Sequence, residues 1–479
     1  METKSKSCNR FFSIMIHVYM TLPFFIFVIG WLKWYWAILT CGLLGFGLIS
    51  AIRQDDLDYC PFEKVHIWKF VIAIALIALW VYFSGVGGMS YQNRDHGIRT
   101  SIFRALVEYE WPVTSKDGVY VLIYYFGYWL PSAVVGKIFG FEIGYRFQAV
   151  WAVIGIFLVY YLICVWRKKV SLWPLIVLVL FSGLDYVGAV WLQTYGNQLT
   201  ITKHIEWWSK GLQFSSNTTQ LYWVFNQAIP AWLVTMYLVV NPKNKKSILF
   251  LVGSLLLHSA FPFVGILPIV VYFLFADFGG RKDDFKALFS VTNIVGVAIV
   301  GGLSFALFLG NASGALFGFG MPMLSEMTIG EIIMKYGLFY LLEFGIYAII
   351  LFPREKKNVL FYFIILVLLG CPWIRIGYSM DFCMRASIPA LFVLMLFVIR
   401  AIEDWASNRK WVALAILLLV MAVGAITPIH EITRSVYKTY QAREEGKSPT
   451  RTEVAIEEML TYPNFHGESG STFFKIFVK

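Results

Sequence analysis

Apolar runs of membrane-spanning length follow one another along almost the whole chain, and they set the class of fold before any single residue is weighed. Segments 11–30, 34–50, 68–84, 119–139, 147–166, 171–190, 223–240, 287–309, 332–352, 358–373, 386–402 and 410–428 approach or reach what a hydrocarbon layer of about 30 Å requires. Residues 247–276 add one kinked span or two short ones, because His258-Ser-Ala-Phe-Pro262 interrupts the run. Backbone groups in hydrocarbon must bond within their own segment, so the expected fold is all-α: a polytopic transmembrane helical bundle of about 13 or 14 spans over residues 1–428. A mean hydropathy of +0.67 and a charged fraction of 14% agree with that class.

The net charge of +11 is divided among short clusters between apolar runs, where it faces anionic lipid, and makes no case for nucleic acid. Lys4/Lys6/Arg10, Arg53/Lys64, Arg167/Lys168/Lys169, Lys243/Lys245/Lys246, Arg281/Lys282, Arg354/Lys356/Lys357 and Arg409/Lys410 are expected on the cytoplasmic side. Loops 85–118, 191–222, 310–331 and 374–385, with a short polar tail over 429–479, are then expected outside. Two full crossings between residue 118 and Arg167 would misplace that cluster, so either 119–139 is re-entrant or the cluster breaks the pattern. The basic residues before Phe11 imitate a secretory signal, but no small-residue cleavage site follows, and the stretch reads as an uncleaved first helix. Cysteines at 8, 41, 60, 164, 371 and 383 are scattered, without a disulfide framework or zinc spacing.

The outward loops carry more polar chemistry than a simple bundle needs. After Gly85, Gly87 and Gly88, which let the chain turn tightly out of the membrane, comes Asp95 and then a helical pattern: Ile98, Ile102, Leu106 and Tyr109 on one face, Arg99, Thr100, Arg104 and Glu108 on the other. This predicts an amphipathic juxtamembrane helix closed by Trp111-Pro112. A carboxylate beside His96, Arg99 and Arg104 suits a phosphate-bearing lipid substrate, and a helix N-cap role for Asp95 suits the same residues. The second loop offers His204, Glu206, Trp207 and Trp208, then Gln213, Asn217 and Gln220. Aromatic faces with polar rims fit a sugar, and also an interfacial aromatic belt. Arg375 and Arg385 could clamp a phosphate or pair with Asp381. Asp185 and Glu343 fall inside apolar runs, where charge is costly, and keep a transporter in view. No serine-hydrolase elbow, HExxH or dinucleotide fingerprint is present, and Gly446-Lys447-Ser448 lacks the leading glycine of a phosphate-binding loop, with Gln441 in its place.

Asp95 ahead of the amphipathic helix, then Tyr124-Tyr125, Trp129-Leu-Pro131 and Phe139-Gly-Phe-Glu-Ile-Gly-Tyr-Arg146, resembles the GT-C superfamily of membrane glycosyltransferases. Two spans precede the one that leads to the Asp95 loop here, and His96 stands where the family pattern has a second acid. The resemblance implies a multi-pass enzyme of the bacterial cytoplasmic membrane with an outward active site. It implies a lipid-linked sugar donor on polyprenyl phosphate and Asp95 as the catalytic residue. His96, Arg99, Arg104, His204, Glu206, Trp207, Trp208, Arg375 and Arg385 would bind substrate, and a divalent metal, Mg or Mn, could sit at Asp95 and Glu206. A lipid-linked oligosaccharide polymerase or flippase, or a secondary transporter, are the alternatives.

Overall fold

The computed structural model describes residues 2–479 apart from 56, 58, 62–66, 195–199, 277–281, 312–316, 323 and 377–379. Among the described residues nine helices are long and apolar enough to cross a bilayer, and four shorter apolar helices accompany them. The chain is an all-α, multi-pass membrane protein. Helices α1 (Glu2–Trp31), α2 (Trp34–Gln54) and α3 (Ile67–Phe83) open the bundle, and α4 (Arg94–Glu108) is the expected amphipathic helix. It is covered more fully than a surface helix would be. Ile102, Phe103 and Leu106 are buried, and so are Arg99 and Ser101, because the C-terminal residues lie along its polar side.

The expected span 119–139 does not cross. Tyr120–Leu122 pairs antiparallel with His466–Glu468, a 3-10 turn covers Gly127–Trp129, and α5 (Leu130–Phe139) has 10 residues, or about 15 Å. The segment dips in and returns to the end it left, since α6 (Phe141–Arg167) begins against α4, with the Arg104 guanidinium 3.6 Å from the centre of the Phe141 ring. The Arg167 cluster therefore stays with the other basic clusters, of which Lys64 and Arg281 lie outside the described residues. The end of the bundle holding the described ones is here the basic end, and the other is the loop end.

Helices α7 (Trp173–Leu180) and α8 (Asp185–Trp191) form one crossing broken at 181–184. Freed backbone groups inside a bundle need partners, and neighbouring elements supply them. Leu184 N–H donates to the Leu342 carbonyl, the Phe181 carbonyl accepts from Asn217 N–H, and the Ser182 carbonyl accepts from the Tyr347 hydroxyl at 3.0 Å. Gly183 is needed at the break: a Cβ there would lie 2.9 Å from the Glu343 Cα. Glu343 itself sits in a π-helical turn, Leu341–Gly345, within the crossing Ile329–Glu355.

Helix α9 (Asn217–Val240) runs through the centre of the bundle with nearly every side chain buried. Then α10 (Ile248–His258) and α11 (Ala260–Phe275) form two short helices that enter and leave by the basic end. Lys245 Nζ donates to the Ala276 carbonyl at 2.6 Å and ties the two outer ends together. Their tip rises to meet the re-entrant loop segment, where a Cβ on Gly127 would fall 3.0 Å from the Leu257 carbonyl. Val291–Leu309, Ile329–Glu355, Val359–Trp373 and Asp381–Ser407 continue the bundle, and Trp411–Glu444 runs past the apolar layer at the loop end. Residues beyond 444 strap across that end: Val454 N–H donates to Ser101 Oγ at 2.9 Å, and Val478 pairs with Leu32. The expected tail 429–479 is thus part of the folded loop end.

Candidate functional site

Helix α4 starts at Asn93, whose side chain accepts a hydrogen bond from Asp95 N–H at 3.0 Å. Asn93, and not Asp95, is the N-cap, which leaves the Asp95 carboxylate for other work. One turn on, Arg99 Nη2 reaches Asp95 Oδ2 at 3.1 Å, while Arg99 Nη1 is buried with no partner among the described residues. Arg385, at the loop end of its crossing, donates from Nη1 to the Tyr125 hydroxyl at 2.9 Å and reaches Asp381 Oδ2 from Nη2 at 3.2 Å, and its Nε is buried without a partner among the described residues. Tyr124 OH donates to Tyr125 OH at 2.5 Å, and Gln227 Nε2 to the same hydroxyl at 3.2 Å. Both guanidinium groups act electrostatically on Tyr124, and Asp95 acts on Arg385, so the three charged side chains share one site. Burial, then Tyr125, holds the Tyr124 phenol well above its ordinary value, so it stays protonated. Both side-chain atoms of Asn226 and Gln227 Oε1 are also buried without partners among the described residues, so the site holds polar groups that a polar ligand could satisfy.

Two residues expected to bind substrate are instead structural. His96 is buried, with Nε2 3.0 Å from the Tyr222 carbonyl and its ring 5.7 Å from that of Phe225. Burial, then the neighbouring Arg99, brings its imidazole down to about 4, so it is neutral near pH 7. Arg104 lies on the opposite face of α4 from Asp95 and is fully engaged, with Nε and Nη2 on Glu453 at 2.6 and 2.9 Å and Nη1 on Glu108 at 2.7 Å. It staples the C-terminal strap to α4. Arg375 sits on a short strand, Ile374–Ile376, paired with Phe317–Phe319, and among the described residues no hydrogen bond or ion pair joins it to the Asp95 cluster.

The second expected group gathers elsewhere. His204 Nδ1 lies 2.6 Å from Glu431 Oε1 and its Nε2 3.8 Å from Glu206 Oε2. Glu206 accepts from Gln213 Nε2 at 2.8 Å and Ser216 N–H at 2.9 Å, and Arg434 Nη2 reaches Glu431 at 2.5 Å. Deeper, Ser182 Oγ donates to Asp185 at 2.9 Å, Trp208 Nε1 donates to Glu343 at 2.9 Å, and the Asp185 and Glu343 carboxylates are close enough to act on each other electrostatically. Asp185, Glu206, Glu343 and Glu431 are at most 2% exposed. Burial, then Asp185, pushes Glu206 up to about 7. For His204, burial favours the neutral ring, but the Glu431 carboxylate outweighs it and raises the imidazole above its ordinary value. Trp208 is therefore a buried hydrogen-bond donor and no sugar platform, whereas Trp207 is 53% exposed.

The clusters adjoin at Tyr222. Its carbonyl accepts from Asn93 Nδ2 at 2.6 Å, and a cavity of 10 Å³, about the room one water needs, lies between Asn93, Glu431 and Arg434. A divalent ion shared by Asp95 and Glu206 does not fit this arrangement. Asp95 pairs with a guanidinium, Glu206 is occupied by N–H donors, and the described residues contain no group of three or more His, Cys, Asp or Glu arranged to hold a metal. Sequence reasoning missed Glu431 and Arg434, whose only signal is their i, i+3 spacing in a helix that follows an apolar run. No protein-family model and no curated protein matches this sequence.

Proposed function

We propose that this protein is a membrane glycosyltransferase of the GT-C type, moving a sugar from a polyprenyl-phosphate carrier to an acceptor hydroxyl at the outer face of a bacterial cytoplasmic membrane. The observation that supports the reading is that Arg99 and Arg385 both act on Tyr124 while Asp95 pairs with Arg99 and acts on Arg385, with guanidinium N–H groups left unpartnered among the described residues. Asp95 accepts the acceptor hydroxyl proton as the new glycosidic bond forms, and the bond from the sugar to the carrier phosphate breaks. Negative charge then gathers on the departing phosphate, where Arg99 Nη1 and Arg385 Nε supply fixed positive charge and donors without any proton transfer. The protonated Tyr124 phenol adds a neutral donor beside them.

The test is sugar release from a radiolabelled undecaprenyl-phosphate sugar by purified protein. Asp95→Asn is expected to reduce turnover by about 10²- to 10⁴-fold with donor binding retained. Unchanged turnover would remove Asp95 from the chemistry.

One observation favours a second reading, ion-coupled transport: Asp185 and Glu343 are buried carboxylates that act on each other where a crossing breaks and a π-turn interrupts another. That reading predicts substrate movement that collapses with the ion gradient and survives Asp95→Asn.

A further inference from the structure

Away from both clusters, a groove of 440 Å³ opens at the loop end between α8, the 3-10 turn Ile205–Ser209 and the start of Ile329–Glu355. Its walls are mostly apolar, with Trp191, Leu192, Met327, Met334 and Leu338 along them and the ring of Trp208 as part of the lining. Trp191 and Met334 are 73% and 66% exposed, so the groove is continuous with the surface that faces lipid. Two cations break the apolar lining. Lys210 and Lys335 both line the groove and repel each other across it, and neither ammonium has a hydrogen bond or ion pair among the described residues. The nearest acid, Glu331, is already held by the Thr328 N–H and hydroxyl, each at 2.8 Å, in the capping box that starts its helix. Lys210 is exposed and Lys335 half-buried, so water screens part of their repulsion, and an anion placed between them would relieve the rest.

We propose that this groove binds an anionic membrane lipid, its headgroup phosphate between Lys210 and Lys335 and its hydrocarbon chain along Met334 and Leu338. Lys335 lies two turns into its helix, past the capping box at the loop end. The site is independent of the transfer reading, because none of its residues belongs to the Asp95 cluster. It does touch the carboxylate cluster: Trp208 in the lining donates to Glu343, so a bound chain presses on the residue that holds Glu343 in place.

The experiment places the full chain in phosphatidylcholine nanodiscs containing trace photoactivatable phosphatidylglycerol or photoactivatable phosphatidylcholine and maps the cross-linked peptides. The anionic probe is expected to label the peptides holding Trp191 and Met334 at least tenfold more strongly than the zwitterionic one. Lys210→Gln with Lys335→Gln is expected to lower that labelling on the order of 10- to 30-fold. Met334→Trp, which fills the groove and keeps both lysines, is expected to lower it as well, so a misfolded lysine variant does not decide the matter. Equal labelling by the two probes, or labelling undiminished in either folded variant, overturns the proposal. Displacement of the anionic probe by millimolar inorganic phosphate also overturns it, by assigning the lysines to a soluble anion.

Discussion

The Asp95 and His204 clusters touch at Tyr222, yet they treat buried charge in opposite ways. Around Asp95 each cation has a carboxylate partner yet donors are left over among the described residues: Arg99 and Arg385 each keep a buried N–H without an acceptor, and Asn226 is unsatisfied at both side-chain atoms. Around His204 acids predominate, and most are occupied by protein donors or by each other: Gln213 and Ser216 on Glu206, His204 and Arg434 on Glu431, Trp208 on Glu343. A site with spare donors gains from an incoming anion. One whose groups are already matched gains rigidity and holds protons, because neighbouring carboxylates in a dry interior cannot all ionise.

Substitutions at five positions test that contrast. Arg385→Ala has the largest expected effect on the donor-rich side: a loss of about 10²- to 10³-fold in sugar transfer, the cost of one preorganised donor to a developing oxyanion. Fold should be kept, and Arg385→Lys should restore part of the rate if charge matters more than the planar fork. On the matched side Glu431→Gln should act through stability, since it strands His204 and Arg434 as buried cations. A loss of about 3 kcal/mol in thermal or denaturant unfolding is expected. If Glu431→Gln instead lowers transfer while leaving stability alone, the two clusters are one site.

The pH dependence of unfolding separates the regions by sign. Glu206, raised to about 7, contributes stability that is complete below the unfolded-state value near 4.5 and is lost as pH rises toward 7. His204, also raised, adds a loss in the same direction as pH passes its ordinary value. His96, brought down to about 4, works the other way: its contribution is present above about pH 6.5 and is lost as pH falls toward 4. Glu206→Gln should therefore flatten the decline between about pH 4.5 and 7, whereas His96→Gln should lessen the loss on acidification. Parallel shifts in the two variants would erase the contrast. The smallest effect belongs to Arg104→Gln, which removes a half-exposed staple outside both clusters. It should cost about 1 kcal/mol or less and leave transfer unchanged.

Class, helix positions and the grouping of basic clusters at one end were legible in the sequence, because hydrocarbon length and Lys/Arg placement are local properties that each segment carries alone. Asp95, Arg99 and Arg385 were also legible as candidates, since charge beside an apolar run is conspicuous. Their roles were not. Whether Asp95 or Asn93 caps α4 depends on backbone geometry at one turn, and whether Arg104 is free depends on Glu453, hundreds of residues away. The fate of 119–139 is similar. Its composition allows a span, but pairing of Tyr120–Leu122 with His466–Glu468 holds it at the loop end. The sequence by itself determined which surfaces must leave water. Only the tertiary structure decided which buried charges found partners, because a partner is a matter of distance in space and leaves no periodicity along the chain.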